Sequence, residues 1–333
     1  MKAFVVARYG KSAPLQLCDL ATPTPQAGEV LIEVHATGLN LLDAKVRDGE
    51  FKLILPYKPP FVLGHDVAGV VTAVGAGVSQ FKVGDEVYAR PADFHIGTFA
   101  EFIAVPQADV APKPRNLSMN EAGALPLVAL TAWQSLVEVA QLQKGQKVFI
   151  QAGSGGVGTV AIQLAKHLGA YVATTTSAAN ADWVKDLGAD LVIDYKTQDF
   201  ETLLRDYDVV LNSQDNKTLE KSLRVLRPGG VAVSISGPPT PDFARAAGLP
   251  WYLRLVFSLL SFGIRRKAGQ RGVRFHFLFM RADGRQLGEI TRLIEAGIIK
   301  PILDRVFPFT QTNEALAYVE SGRAKGKVVV QVK

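Results

Sequence analysis

In the stretch LGHDVAGVV, Leu63 to Val71, an imidazole stands beside a carboxylate at His65-Asp66, and the chain then runs into small apolar residues. A neutral imidazole is the commonest metal ligand, and a catalytic zinc takes three protein ligands with one position left open. His65 is therefore one part of a zinc site or a residue left without its partners. A second stretch, AGSGGVG, spaces Gly153, Gly155 and Gly158 as G-x-G-x-x-G. That spacing has meaning only between a strand and a helix, and both flanks suit it, with KVFIQA before and VAIQLAKHLG after. One glycine then makes the tight turn, another admits a pyrophosphate, and the third lets helix and strand pack closely. The helix N-terminus supplies N–H donors and a positive dipole. The bland alternative is a tight turn with no ligand; the further strand and helix patterns downstream favour a dinucleotide.

The residues after the next strand distinguish the two nicotinamide cofactors. A site for NAD holds an acid about 20 residues on, which binds the ribose 2′-hydroxyl. Here TTTSAAN, Thr174 to Asn180, contains none, and the first carboxylate is Asp182. Hydroxyls and an amide can donate to a 2′-phosphate that an acid would repel, so NADPH is expected. The loop has no Arg or Lys of its own; Tyr195 and Lys196, after the third strand, are within reach.

The elements that must hold these residues fall into two blocks. Up to about residue 123 the chain is β-rich: GEVLIEVHATG alternates with a period near two, FKVGDEVYA turns at Gly84-Asp85, and GTFAEFIAVP is a short strand. From 124 to 280 strands alternate with helices, which implies βαβ units and a doubly wound parallel sheet. FHFLFM (275–280) is its expected sixth strand, and 281–333 returns to β character and completes the first block.

Composition sets the outer limits. The chain has 333 residues, 48% hydrophobic and 20% charged, an ordinary globular balance with a length prior of about two domains. The lone cysteine, Cys18, rules out a disulfide framework and every Cys-rich zinc module. MKAFVVARYG begins like a strand and reads as neither signal nor transit peptide, so a cytoplasmic location is expected. Net charge is +6, which invites a nucleic-acid reading. Nine Arg/Lys and two Asp between Asp242 and Arg285 make a local +7, so the rest of the chain is near neutral and no nucleic-acid partner is expected.

Most of that basic segment lies in an insert near 240–273. Within it, LPWYLRLVFSLLSFGIRRKAGQRG (249–272) places Arg254, Ser258, Ser261 and Arg265 on one narrow helical stripe, with apolar residues nearly all round. Three readings stand: a helix packed over the substrate cleft or in a subunit interface, an interfacial membrane helix with a basic end, and a lid. The first is favoured, since a helix apolar all round is usually packed in protein.

Six motifs in order, the glycine loop with GHDVAGVV, FKVGDEVYA, GTFAEF, LPLVALTAWQSL and LGADLVIDY, make the chain resemble the medium-chain dehydrogenase/reductase superfamily over nearly its whole length. It is most similar to the zinc-independent NADPH:quinone oxidoreductase and enone/alkenal reductase branch. The resemblance implies a β-rich GroES-like domain (1–123, completed by 281–333) and a Rossmann domain (124–280). It also settles the zinc question. Zinc members carry Cys where this chain has Asn40 and a Cys or Asp where it has Leu127, so only His65 of the ligand set survives and no metal is expected.

The same resemblance implies the site residues. Asn40 and Lys45 would stand beside the nicotinamide and substrate, Lys45 donating to the ribose or to the oxygen that gains charge; the alternative for Lys45 is a solvated surface lysine. Ser154, Gly155, Gly156 and Val157 would hold the pyrophosphate, and Thr131 would approach the nicotinamide ribose. Ser177, Asn180 and Tyr195 would take the 2′-phosphate, while Ile235, Ser236, Phe277, Leu278 and Phe279 would border the nicotinamide. LNSQDN (211–216) replaces a glycine-containing loop and can narrow the cofactor cleft. The expected activity is metal-free hydride transfer from NADPH to a quinone, enone or alkenal by a homodimer. The alternative is an NADPH-binding protein with a mainly RNA- or membrane-binding role, docking weakly to membranes through 249–272.

Overall fold

The alternating stretch at Glu29–Leu39 forms an eleven-residue strand that is the spine of the first unit. The computed structural model describes residues 1–333 and divides into Met1–Leu130 with Arg281–Lys333, and Thr131–Met280. The first boundary falls inside the helix Pro126–Trp133.

In the first unit the seven-stranded sheet runs Leu303–Pro308, Lys327–Gln331, Glu29–Leu39, Val67–Val74, Glu86–Ala89, Val110–Pro112, with Phe102–Pro106 also paired to the spine. Its core gathers Val30, Ile32 and Val34 with Val67, Val71, Val87, Ile103 and Val105. Its period-two pattern survives only in part: the helix Met119–Gly123 packs against Ala36 and Gly38 at its end, and its last four residues are all buried. A three-stranded sheet, Gln16–Asp19, Lys2–Val6, Phe61–Val62, completes the unit. The returning strand Lys327–Gln331 pairs antiparallel with Ala36–Leu39, Val328 lying opposite Leu39. That register carries Lys327 to the place where the spine ends and Asn40 begins.

In the second unit the six strands are parallel, in the spatial order Leu191–Asp194, Tyr171–Thr176, Lys147–Ile150, Tyr207–Asn212, Leu226–Ser234, Arg274–Phe277. Numbered along the chain this is 3-2-1-4-5-6, so the order reverses beside Lys147–Ile150, the strand that leads into the glycine loop. The sixth strand is shorter than FHFLFM suggests. Its partner stops at Ser234, and just past Phe277 the Leu278 N–H reaches back to the Ser234 carbonyl at 2.9 Å.

The insert is a helix over Trp251–Gln270, but it packs on one face only. Its buried residues are Leu253, Phe257, Ser261, Ile264 and Ala268. Within this chain the packed reading holds for that stripe alone, and the opposite stripe is exposed. Ser261, counted from sequence as part of a polar stripe, is buried because its hydroxyl donates to the Phe257 carbonyl one turn back, at 2.6 Å.

Candidate active site

At the end of the spine a buried polar cluster forms from four separate pieces of chain. Asn40 caps the helix Leu41–Asp48, and its N–H donates to Asp43 Oδ2 at 2.7 Å. The other Asp43 oxygen accepts from His65 Nδ1 at 2.6 Å, and both side chains are fully buried. That bond leaves His65 Nε2 buried with no partner. A carboxylate behind one ring nitrogen and a free second nitrogen is the arrangement that orients a metal-binding histidine.

The remaining ligands are missing, and a side-chain cation stands among the residues that would carry them. Lys327 Nζ donates to the Leu39 carbonyl at 2.9 Å, to Asn40 Oδ1 at 2.6 Å and to Asp66 Oδ2 at 3.2 Å. Asn40 Nδ2 donates to the same Asp66 oxygen at 2.9 Å. The other Asp66 oxygen accepts from the Leu127 N–H at 2.7 Å, at the start of Pro126–Trp133, where an acid also suits the helix dipole. Burial pushes the Asp66 carboxyl above its usual range, opposed by the Lys327 ammonium, the Asn40 amide and the Leu127 N–H. Gly38 makes room for this pairing, since a Cβ there would lie 2.5 Å from the Gly123 carbonyl and 2.9 Å from Asp66 Oδ2. The donor set therefore does not fit zinc. Asn40 is spent on Asp66 and Lys327, the Leu127 side chain has no ligand atom, and no three His, Cys, Asp or Glu residues gather as a metal group anywhere in the chain.

Lys45 lies on the same short helix as Asp43 but on its open side, 46% exposed, with Nζ 4.0 Å from Glu50 Oε2. The helix is anchored by Arg47, which is 5% exposed and forks onto both Glu320 oxygens at 2.7 and 3.1 Å.

In the second unit, the turn after Lys147–Ile150 is tight enough to hold Ala152 at φ 52°, a region that alanine seldom occupies. The glycines then divide their work. A Cβ at Gly153 would meet Thr174 Oγ1 at 2.3 Å, and one at Gly158 would meet the Ala152 carbonyl at 2.3 Å, so both exist for packing. A Cβ at Gly155 would meet only the Ala152 carbonyl, at 3.3 Å, leaving that flank open. Gly155 is also the N-cap of the twelve-residue helix Gly156–His167 and supplies no side-chain cap. The first-turn N–H groups, those of Gly156 and Val157 among them, have no carbonyl partner within the helix. An anion can take both the open flank and these donors, so the turn fits a dinucleotide pyrophosphate.

Beside it, the predicted adenosine-end residues lie together. Thr176 Oγ1 donates to Ser154 Oγ at 2.9 Å, Asn180 Nδ2 to Ser177 Oγ at 3.3 Å, and Tyr195 N–H to the Thr176 carbonyl at 3.2 Å. Tyr195 is 61% exposed. Asp194, which ends the neighbouring strand, turns its oxygens onto Lys196 N–H and Thr197 Oγ1 at 3.1 and 3.3 Å.

On the other side of the switch point the sequence reading missed a network. Buried Asn212 donates to Gln151 Oε1 at 2.7 Å and accepts from Ser234 Oγ at 2.6 Å, while Gln151 donates to Ser222 Oγ at 2.6 Å. LNSQDN thus turns its asparagine inward as a tie between strands. Ile235 N–H donates to the Asn212 carbonyl at 3.0 Å, and Ser236 Oγ to the Gln214 carbonyl at 2.5 Å. Phe277 and Phe279 pack on Phe243, at 5.2 and 5.6 Å between ring centroids. Thr131 is buried, its carbonyl accepting from Ser135 Oγ at 2.6 Å. Lys327 was also missed; its one signal was a cation immediately before the apolar run VVV.

A parallel sheet of order 3-2-1-4-5-6 with a glycine turn at its switch point, in a chain that also builds a β-rich unit from both of its ends, defines a dinucleotide-dependent oxidoreductase. The chain belongs to the medium-chain dehydrogenase/reductase superfamily: family models described as Alcohol dehydrogenase GroES-like domain and Zinc-binding dehydrogenase match residues 26–115 and 187–330. It is 34% identical over 354 residues to the mitochondrial NAD(P)H oxidoreductase RTN4IP1 of Danio rerio, covering 100% of this chain and 91% of that one. It is 36% identical over 341 residues to the chloroplastic NADPH-dependent alkenal/one oxidoreductase of Arabidopsis thaliana, covering 99% and 79%. Among solved structures, the quinone oxidoreductase from Coxiella burnetii superposes with a TM-score of 0.87 at 29% identity, covering 100% and 99%.

Proposed function

We propose that this protein transfers hydride from NADPH to quinones or α,β-unsaturated carbonyls without a metal. The observation that carries the reading is the cluster beside His65, where Lys327 holds Asn40 and Asp66 and Leu127 offers only its N–H. Oxidising an alcohol calls for a Lewis acid or base to hold the alkoxide. Adding hydride to an already polarised double bond or quinone needs only alignment and donors for the oxygen that gains charge. The names of the relatives point the same way, to alkenals, enones and quinones.

NADPH, when bound, supplies the hydride from its nicotinamide C4. The residues of this chain do the rest. Ser154, Gly155, Gly156 and Val157 hold the pyrophosphate, and Ser177, Asn180 and Tyr195 donate to the 2′-phosphate. Thr131, Ile235, Ser236, Phe277, Leu278 and Phe279 border the nicotinamide. Asn40 and Lys45 serve the reacting oxygen; since the Asn40 amide is already shared with Asp66 and Lys327, the exposed ammonium of Lys45 is the better donor.

The test is NADPH oxidation, in the presence of a strong chelator, against a benzoquinone, a 2-alkenal, cyclohexenone and, in reverse with NADP⁺, a simple alcohol. Turnover of the first three and not the alcohol is expected. Alcohol oxidation that the chelator abolishes, or no turnover of any acceptor, overturns the proposal.

A further inference from the structure

The helix Trp251–Gln270 carries two apolar stripes on opposite sides. Leu253, Phe257, Ser261, Ile264 and Ala268, spaced 4, 4, 3 and 4, are the buried one. Shifted by two residues, which is about 200° around a helix, Trp251, Leu255, Leu259, Phe262 and Arg266 repeat the same spacing on the outer side. Trp251 is 71% exposed, Tyr252 54%, Leu255 58%, Leu259 79% and Phe262 58%. Large apolar side chains this open, contiguous over three turns, mark an interaction surface rather than ordinary surface scatter.

The charges say what covers it. The helix holds Arg254, Arg265, Arg266 and Lys267 and no acidic residue. Lys267 pairs with Glu220 at 2.6 Å and Arg265 reaches Ser258 Oγ at 3.1 Å, whereas Arg254 and Arg266 are exposed and make no ion pair. Arg271 and Arg274 follow, both exposed. A second copy docked on this face would set these cations against their equivalents. An anionic surface with an apolar interior meets both halves of the pattern. The helix ends add to the fit: Trp251 and Tyr252 favour the headgroup level, and Arg266 can extend its charge beyond its apolar stem. No helix of the chain is long and apolar enough to cross a membrane.

We infer that Trp251–Gln270 is a docking helix for anionic lipid bilayers, lying flat with Trp251, Leu255, Leu259 and Phe262 in the headgroup–acyl boundary and Arg254 and Arg266 on lipid headgroups. The experiment is flotation of the full chain with vesicles of phosphatidylcholine alone and with about 30% phosphatidylserine, a content at which each surface cation contributes appreciably. Binding to the anionic vesicles, at least tenfold stronger than to the neutral ones and weakened by salt, is expected. Fluorescence from Trp251, the most exposed of the three tryptophans, should shift to the blue and be quenched by brominated lipid. Leu259→Glu with Phe262→Glu should abolish binding, and Arg254→Glu with Arg266→Glu should weaken it at least tenfold. All four positions are exposed, so thermal midpoint and NADPH oxidation should stay at wild-type levels in both variants, with Leu259→Gln as a milder check on folding. Failure of the wild-type chain to float, or equal flotation of the variants, overturns the inference. So does a concentration-dependent dimer lost in Leu259→Glu, or retention on RNA, without vesicle binding.

Discussion

Lys45 and Lys327 are one cation each, with opposite surroundings and opposite expected roles. Lys45 is solvent-exposed, with only Glu50 at 4.0 Å, so Lys45→Met should leave stability nearly unchanged. If it donates to the oxygen that gains charge, kcat falls about 10²-fold, more for enones than for quinones, whose aromatising product needs less help. Steady-state kinetics on both substrates decide it: a change within about threefold makes Lys45 a surface lysine. Lys327→Met instead leaves Asp66 buried without its cation, which should cost about 3 kcal/mol or more in urea unfolding. Adding Asp66→Asn should recover part of that loss. Strictly additive effects in the double-mutant cycle would show the two groups to be independent.

At the scale of the element, the glycine turn separates packing from binding. Gly155→Ala places its Cβ 3.3 Å from one carbonyl at an ordinary φ of −85°, so the thermal midpoint should hold while the NADPH dissociation constant rises. Gly158→Ala drives a Cβ to within 2.3 Å of the Ala152 carbonyl and should destabilise by about 1–3 kcal/mol. Equal thermal shifts for the two variants would show that the glycines share one role. The neighbouring turn sets cofactor choice. Ser177→Asp puts a carboxylate where the 2′-phosphate is expected, and NADPH affinity should fall about tenfold or more while NADH is unaffected, as titration of intrinsic fluorescence would read.

Across the whole molecule, alkaline pH should act through buried tyrosines. Burial pushes the hydroxyl of Tyr207, in the core of the parallel sheet, up to about 12, and that of Tyr57, in the other unit, also to about 12. Both folded values lie above the unfolded value of about 10, so the stabilisation is fully present below pH 10 and is lost as pH rises through 12. Urea midpoints should be flat up to about pH 10 and then fall, with Tyr207 contributing on the order of 2 kcal/mol. Tyr207→Phe should shrink that fall, and absorbance at the tyrosinate band should show a late-titrating class that this variant reduces.

Much of the fold is legible in the chain because the signals are local. A period of two, a glycine spacing between strand and helix, and alternating strand and helix patterns each act within a few residues; a β-rich block and a doubly wound parallel sheet follow from them, and the resemblance to the superfamily adds the GroES-like assignment. The loss of the zinc ligands is readable once the resemblance marks their positions, since Asn40 and Leu127 are wrong there at any distance. What stands in that place was decided only by tertiary structure. Lys327 reaches Asp66 because the returning strand sets Val328 opposite Leu39, a pairing between residues nearly 300 positions apart that leaves no local trace. The Gln151–Asn212–Ser234 tie depends in the same way on which strands become neighbours. The insert shows the converse limit. Its sequence fixes a helix that is apolar on both sides, but which stripe is buried and which is left open depends on the surface it packs against, and that surface is made by other parts of the chain.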